Sequence, residues 1–201
     1  KITSSSTVVT TTAYNTTNKY VPQTVVVDSG SGKLNLTTTF TYDAVGNITQ
    51  INGPRTDVTD TTTQAFDAQR RVTTRTNALS KQTGTQWLVS CNTYTATGKL
   101  LKAWGPAVTA AATTCPSAAA PVPVADYAYD NLDRLIRITE NLTSAQGGNR
   151  VTETVYNADD SVQIVKQAVG SSVAQNYATY TYSNNGLPTT VKDAKNNLTT
   201  Y

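Results

Sequence analysis

At seven near-regular intervals along this chain an aromatic residue is followed directly by a short side chain that carries an oxygen. The aromatics are Tyr14, Tyr42, Phe66, Tyr94, Tyr129, Tyr156 and Tyr182, and the spacings between them are 28, 24, 28, 35, 27 and 26 residues. Internal repetition at such a period fixes the fold more tightly than any local propensity. The following residues are Asn15, Asp43, Asp67, Thr95, Asp130, Asn157 and Ser183. Each can accept a hydrogen bond from a backbone N–H two residues on and so start a turn. Four residues after the aromatic stand Asn18, Gly46, Arg70, Gly98, Asp133, Asp160 and Gly186. All but Arg70 adopt positive φ at low cost, as a type I turn closed by a left-handed residue requires. Arg70 predicts a distorted turn. Two residues later a return strand is expected to start, at Tyr20, Ile48, Val72, Leu100, Leu135 and Val162, while Pro188 predicts an edge or unpaired position in the last copy.

Between the turns the chain reads as strand. Threonine makes up 39 of the 201 residues, and its β-branched side chain suits a pleated surface better than a helix. Second turns divide the repeats at Asp28-Ser29-Gly30, Asn52-Gly53-Pro54, Gln146-Gly147-Gly148-Asn149 and Lys195-Asn196-Asn197. The expected fold is therefore all-β: an antiparallel β-hairpin repeat strip of about fourteen strands, one domain over residues 1–201. The Pro/Ala-rich stretch 105–124 accounts for the one long spacing and reads as a loop inserted into a repeat that resumes in phase at Tyr129.

Composition narrows the chemistry. The chain has no histidine, which removes the commonest general base and metal ligand. Asp43, Asp67 and Asp130 occupy positions where other copies carry Asn, Ser or Thr. A turn cap survives that exchange and an acid/base role does not, so replacing them by Asn is expected to change little. Asp159 and Asp160 lack the alternating ligands of a calcium loop. No catalytic residue, metal or cofactor is assigned. A net charge of +3, with one small cluster at Arg70, Arg71 and Arg75, does not suggest nucleic acid. There is no apolar run long enough for a membrane helix. The chain does not start with Met and reads as a processed product or a piece of something longer.

Laid out in phase, the segments YDAVGNITQI from Tyr42, FDAQRRVTTRTNAL from Phe66, YDNLDRLIRIT from Tyr129 and VKDAKNNLTTY ending at Tyr201 resemble the YD repeats of the RHS family, found in bacterial polymorphic toxins, toxin-complex shells and teneurins. The resemblance covers the whole chain, most weakly before residue 41. It implies a β-strip that spirals, solenoid-like, into a hollow shell, and a secreted or surface-exposed bacterial protein.

Cys91 and Cys115, the only cysteines, are read as a disulfide in an exported chain, with two buried free thiols as the alternative. The closed loop would stabilise by about 3 kcal/mol in the chain-entropy model. The repeat tyrosines are read as cross-strand packing, with a sugar-stacking ladder as the alternative. Trp87 and Trp104 lie outside the motif and are candidates for ligand stacking. The functional expectation is a non-enzymatic structural segment that pairs head-to-tail with copies of itself, or continues into flanking repeats of a longer parent chain. A carbohydrate-binding or adhesion module is the alternative.

Overall fold

The computed structural model describes residues 7–81, 84–109, 115, 124–142 and 147–201, and the statements below concern these residues. Gln146 and, of the stretch expected as a loop, residues 110–114 and 116–123 lie outside them; residues 105–109 and Val124 are strand rather than loop. The described residues hold fifteen strands and no helix. Each strand is hydrogen bonded to its predecessor and successor in one sheet. Contacts gather the chain into two units, Lys1–Cys91 with Pro106–Pro116, and Asn92–Gly105 with Ser117–Tyr201.

The first unit contains β1 (Thr10–Tyr14), β2 (Pro22–Val27), β3 (Leu36–Tyr42), β4 (Ile48–Asn52), β5 (Thr61–Phe66), β6 (Val72–Lys81) and most of β7 (Gly84–Tyr94). The second takes the end of β7, the start of β8 (Leu100–Thr109), β9 (Val124–Tyr129), β10 (Leu135–Asn141), β11 (Arg150–Tyr156), β12 (Val162–Gln167), β13 (Gln175–Tyr182), β14 (Pro188–Asp193) and β15 (Leu198–Thr200). The antiparallel hairpin strip expected from the sequence is what forms, with one strand more than the expected fourteen.

Few side chains are buried. Among the described residues the buried apolar ones are Val89 and Cys91 in the first unit and Val124, Val151 and Ala178 in the second. Register therefore rests on pairs directly across the strands. Asn52 faces Thr61, and the Thr61 hydroxyl donates to Asn52 Oδ1 at 2.7 Å. Thr62 faces Asn77 and donates to its Oδ1 at 2.9 Å. In the second unit the opposed pairs are charged. Lys102 meets Asp126 at 2.9 Å, Arg137 meets Glu153 at 3.2 Å and Arg150 meets Glu140 at 3.5 Å.

Both prolines that open a return strand sit at an irregularity. The register shifts between Ala13 and Tyr14, which pairs with Pro22, and between Thr181 and Tyr182, which pairs with Pro188. Pro188 is thus neither at an edge nor unpaired: β14 lies between β13 and β15. A bulge at the first strand residue asks for no ladder N–H, so proline fits there. The first hairpin also differs from expectation. Tyr20 is 92% exposed and belongs to the turn, and the return strand begins at Pro22.

Two glycines show what the turns demand. Gly46 has φ +89, and a Cβ there would meet nothing within 4 Å, so any cost of substitution is one of backbone conformation. A Cβ on Gly53 would instead overlap the Asp60 carboxylate. Gly46→Val is expected to lower stability by about 1–3 kcal/mol, because a β-branched residue resists positive φ. Gly46→Asn should cost only a fraction of that. Thermal melts of the two variants decide, and equal melting temperatures would contradict the account.

Candidate functional site

The candidate site is the edge of the sheet where the aromatic repeats turn. The Asp43 hairpin shows its construction. The Asp43 N–H donates to the Asn47 carbonyl at 3.0 Å, and the Gly46 N–H donates to the Asp43 carbonyl at 3.1 Å. Asp43 Oδ1 accepts the N–H groups of Val45 at 3.1 Å and Asn47 at 2.8 Å. Asp43 Oδ2 accepts the Asn47 side-chain amide at 2.7 Å. One carboxylate therefore satisfies three donors in five residues.

The backbone pattern recurs at Asp67, Thr95, Asp130, Asn157 and Ser183. The fourth residue is left-handed in each, at Arg70 (φ 64), Gly98 (φ 90), Asp133 (φ 60), Asp160 (φ 67) and Gly186 (φ 74). The Arg70 turn is thus regular rather than distorted. The Tyr14 copy is the irregular one. Its closing bond runs from Asn15 N–H to the Val21 carbonyl, and Asn18 is not among the left-handed residues.

The fifth position is a functional position that sequence reasoning missed. Where the cap is Asp, the fifth residue donates to it. Arg71 Nε reaches Asp67 Oδ2 and Arg134 Nε reaches Asp130 Oδ2, both at 2.7 Å. Where the cap is Asn157, the relation reverses and its amide donates to Ser161 Oγ at 2.9 Å. The sequence does carry a signal: Asn47, Arg71, Arg134 and Asn197 all follow an Asp by four residues. Asp193 and Asn197 repeat the cap in full, with Nδ2 to Oδ2 at 2.8 Å. This turn joins β14 to β15, opposite the aromatic turns, and Lys192 stands where they carry an aromatic.

Four of the aromatics stitch their turn to the previous repeat. The Tyr42 hydroxyl donates to the Pro22 carbonyl at 2.7 Å, and Tyr129 to Leu100 at 2.9 Å. Tyr156 donates to Leu135 at 3.0 Å, and Tyr182 to Val162 at 2.8 Å. The acceptor is always the first residue of the preceding return strand. Burial pushes the Tyr42 and Tyr129 phenols up from their ordinary value, which keeps them protonated as donors.

Neighbouring turns are also linked by side chains. Arg70 Nε donates to Asn47 Oδ1 at 2.7 Å in the first unit. In the second, the Thr97 hydroxyl donates to Asp133 Oδ1 at 2.9 Å. Arg134 Nη1 donates to Asp160 Oδ1 at 2.7 Å, and its guanidinium lies 4.7 Å from the centre of the Tyr156 ring.

The other candidates are dispersed. Cys91 and Cys115 form a disulfide with a Cα–Cα distance of 5.8 Å. Trp87 is half-buried opposite Ala78. Trp104 is half-buried opposite Val124, with the Lys102 ammonium 5.5 Å from its ring centre. Among the described residues no three His, Cys, Asp or Glu side chains gather as a metal site, and no helix is long and apolar enough to cross a membrane.

No protein-family model matches the chain, and no curated protein does either. Solved structures do. A crystal structure of TcdB2-TccC3 matches with TM-score 0.64 at 13% identity, over 96% of this chain and 10% of that one. The chain has the YD-repeat fold. A crystal structure of TcdB2-TccC3-Cdc42 gives TM-score 0.62 at 14% identity, over 96% of this chain and 9% of that one. The Photorhabdus luminescens Tc holotoxin pore gives 0.53 at 12%, over 94% and 11%. The chain spans about a tenth of the length of the chains it matches.

Two predictions follow from the turn geometry. Burial opposes ionisation of the Asp43, Asp67 and Asp130 carboxyls, but bonds from the fifth residue's N–H and side chain outweigh it. In Asp193 the Asn197 amide leads. All four carboxyls lie below the usual carboxylate range. Their contribution to stability is present above the unfolded value of about 3.9 and is lost as pH falls through the lower folded values. Melting temperature should therefore drop on acidification below about pH 4. In contrast to the sequence-based expectation, Asp130→Asn should also lower it near neutral pH, because an amide cannot pair with Arg134. Circular dichroism melts against pH check both. Secondly, Tyr129→Phe should cost about 1 kcal/mol by leaving the Leu100 carbonyl unpaired. The naturally hydroxyl-free copy should gain from Phe66→Tyr, with the Ile48 carbonyl as acceptor. A loss in both variants would refute the stitch.

Proposed function

We propose that this chain is a structural, non-enzymatic segment of a YD-repeat shell of an exported bacterial protein. The observation that carries the reading is the run of turn-to-turn links. Arg70 to Asn47, Thr97 to Asp133 and Arg134 to Asp160 each bind one repeat to the next. The donors and acceptors that a catalytic edge would aim at a substrate are spent on neighbouring repeats. In such an array each unit leans on its neighbours, and more repeats of the same kind can be added at either side. The solved structures with this fold are toxin assemblies many times longer, which supports a shell segment. The disulfide supports export, since such bonds persist in oxidising surroundings.

Flanking repeats of a longer parent chain fit the sheet better than head-to-tail copies. Strand directions alternate, so β15 of one copy beside β1 of another would pair strands that run the same way, unlike every pairing described here. Carbohydrate binding has less support, because Lys102 lies over Trp104 and four of the motif tyrosines spend their hydroxyls on backbone carbonyls.

The free edge of β15 tests the reading. The Tyr201 N–H donates to the Thr189 carbonyl, so alternation turns the N–H groups of Leu198 and Thr200 outward. Light scattering at rising concentration is expected to show association of two copies through this edge, β15 against β15, the arrangement that keeps the pairing antiparallel. Thr200→Pro should suppress it while leaving the β14 ladder intact. A chain that stays monomeric at high concentration, with β15 protected from hydrogen exchange, would overturn the proposal.

A further inference from the structure

The two sulfurs of the disulfide face different surroundings. Cys91 lies in β7 opposite Thr74 and is only 1% exposed. Cys115 is exposed. The Thr74 hydroxyl lies beside both, 3.5 Å from Cys115 Sγ and 3.9 Å from Cys91 Sγ. Neither half-cystine carries a proton, so the hydroxyl, with its single proton, is the donor whichever sulfur it faces. All three residues belong to the first unit.

A thiolate breaks a disulfide by attacking one sulfur in line with the bond, and the far sulfur leaves as a thiolate. At Cys115 the approach is open to solvent, and Cys91 is the far sulfur. Attack at Cys91 would have to come through the sheet. We propose that Cys115 is a site of regioselective thiol exchange for small thiols of the glutathione class. The incoming sulfur forms a bond to Cys115 Sγ, the Cys91–Cys115 bond breaks, and the electron pair leaves on Cys91 Sγ. The Thr74 hydroxyl donates to that new anion. Cys91, held in its strand beside the mixed disulfide, then attacks Cys115 Sγ, expels the small thiolate and restores the original bond. Atoms and electrons balance with no oxidant, because the added thiol is returned. The exchange is a reversible modification at a position outside the repeat motif.

The experiment treats the folded, oxidised chain with reduced glutathione, stops the exchange with acid, unfolds the protein in denaturant containing excess iodoacetamide so that the buried thiol is alkylated too, and maps the adducts by peptide mass. The expected result is glutathione on Cys115 and carbamidomethyl on Cys91. Glutathione on Cys91, or an even split, would overturn the proposal. Because Cys91 can erase the adduct, single variants give a second reading. In Cys91→Ser the remaining Cys115 should react with an aromatic disulfide reagent as fast as a peptide thiol. In Cys115→Ser the remaining Cys91 should react far more slowly until the protein unfolds, and equal rates in the two folded variants would count against the site. Thr74→Val should slow glutathione exchange roughly five-fold, the effect of removing one hydrogen bond from a developing charge, with the melting temperature of the oxidised protein unchanged. An unaltered exchange rate would remove Thr74 from the mechanism.

Discussion

The sheet depends on a turn that closes itself. In a protein with a large core, burial of apolar surface fixes register and turns merely accommodate it. Here only five apolar residues among those described are buried, so that force is small and local bonds must specify where each strand reverses. A single carboxylate at Asp43, Asp67 or Asp130 satisfies two backbone N–H groups and one side-chain donor. The bonds of the cap all lie within five residues. Each hairpin is then a rigid unit, and the tyrosine hydroxyl bonds it to the strand of the repeat before.

This division explains what could be read from the sequence. The turn is local, so its aromatic, its cap and its left-handed residue are visible as a spaced pattern. The tyrosine's acceptor is 20 to 29 residues away and depends on register, which no local pattern encodes. Arg70 was misread for the same reason. Intrinsic preference argues against arginine at positive φ, but the guanidinium bonds Asn47 of the previous turn, and a nonlocal bond offsets a local cost. Pro188 was misread because proline's lack of an N–H matters only where the ladder asks for one. At the bulge beside Tyr182 it does not.

The Asp193 turn separates the roles of cap and aromatic. It has the same cap, the same closing bonds and a left-handed Asn196 at φ 67, yet no aromatic precedes it. The cap alone is therefore sufficient to make the turn. What the aromatic adds is the stitch to the preceding return strand. Phe66 and Tyr94 show that ring hydroxyl and cap vary separately: Phe66 keeps the ring and the Asp cap without the hydroxyl, and Tyr94 keeps ring and hydroxyl beside a Thr cap. An array can absorb such losses, because each repeat is held on two sides.

The uneven spacing of the repeats has its cause in the same asymmetry. From Tyr42 onward every aromatic turn has the same length, so differences between 24 and 35 residues must arise elsewhere. They arise in strand length and at the opposite edge: β6 and β7 run 10 and 11 residues where β4 and β5 run 5 and 6, and β2 and β3 are joined through residues 28–35, β4 and β5 through 53–60, and β12 and β13 through 168–174. The aromatic edge cannot change length without breaking the Asp cap and the tyrosine bond together. The opposite edge carries no such coupled pair of constraints. Added length is therefore tolerated there, including residues 110–123 between β8 and β9, and the disulfide ties Cys115 within that stretch back to the buried Cys91 of β7. On a scaffold of this kind the variable edge is where new binding surfaces can be added without disturbing register, and the tyrosine edge is where the sheet is kept in phase.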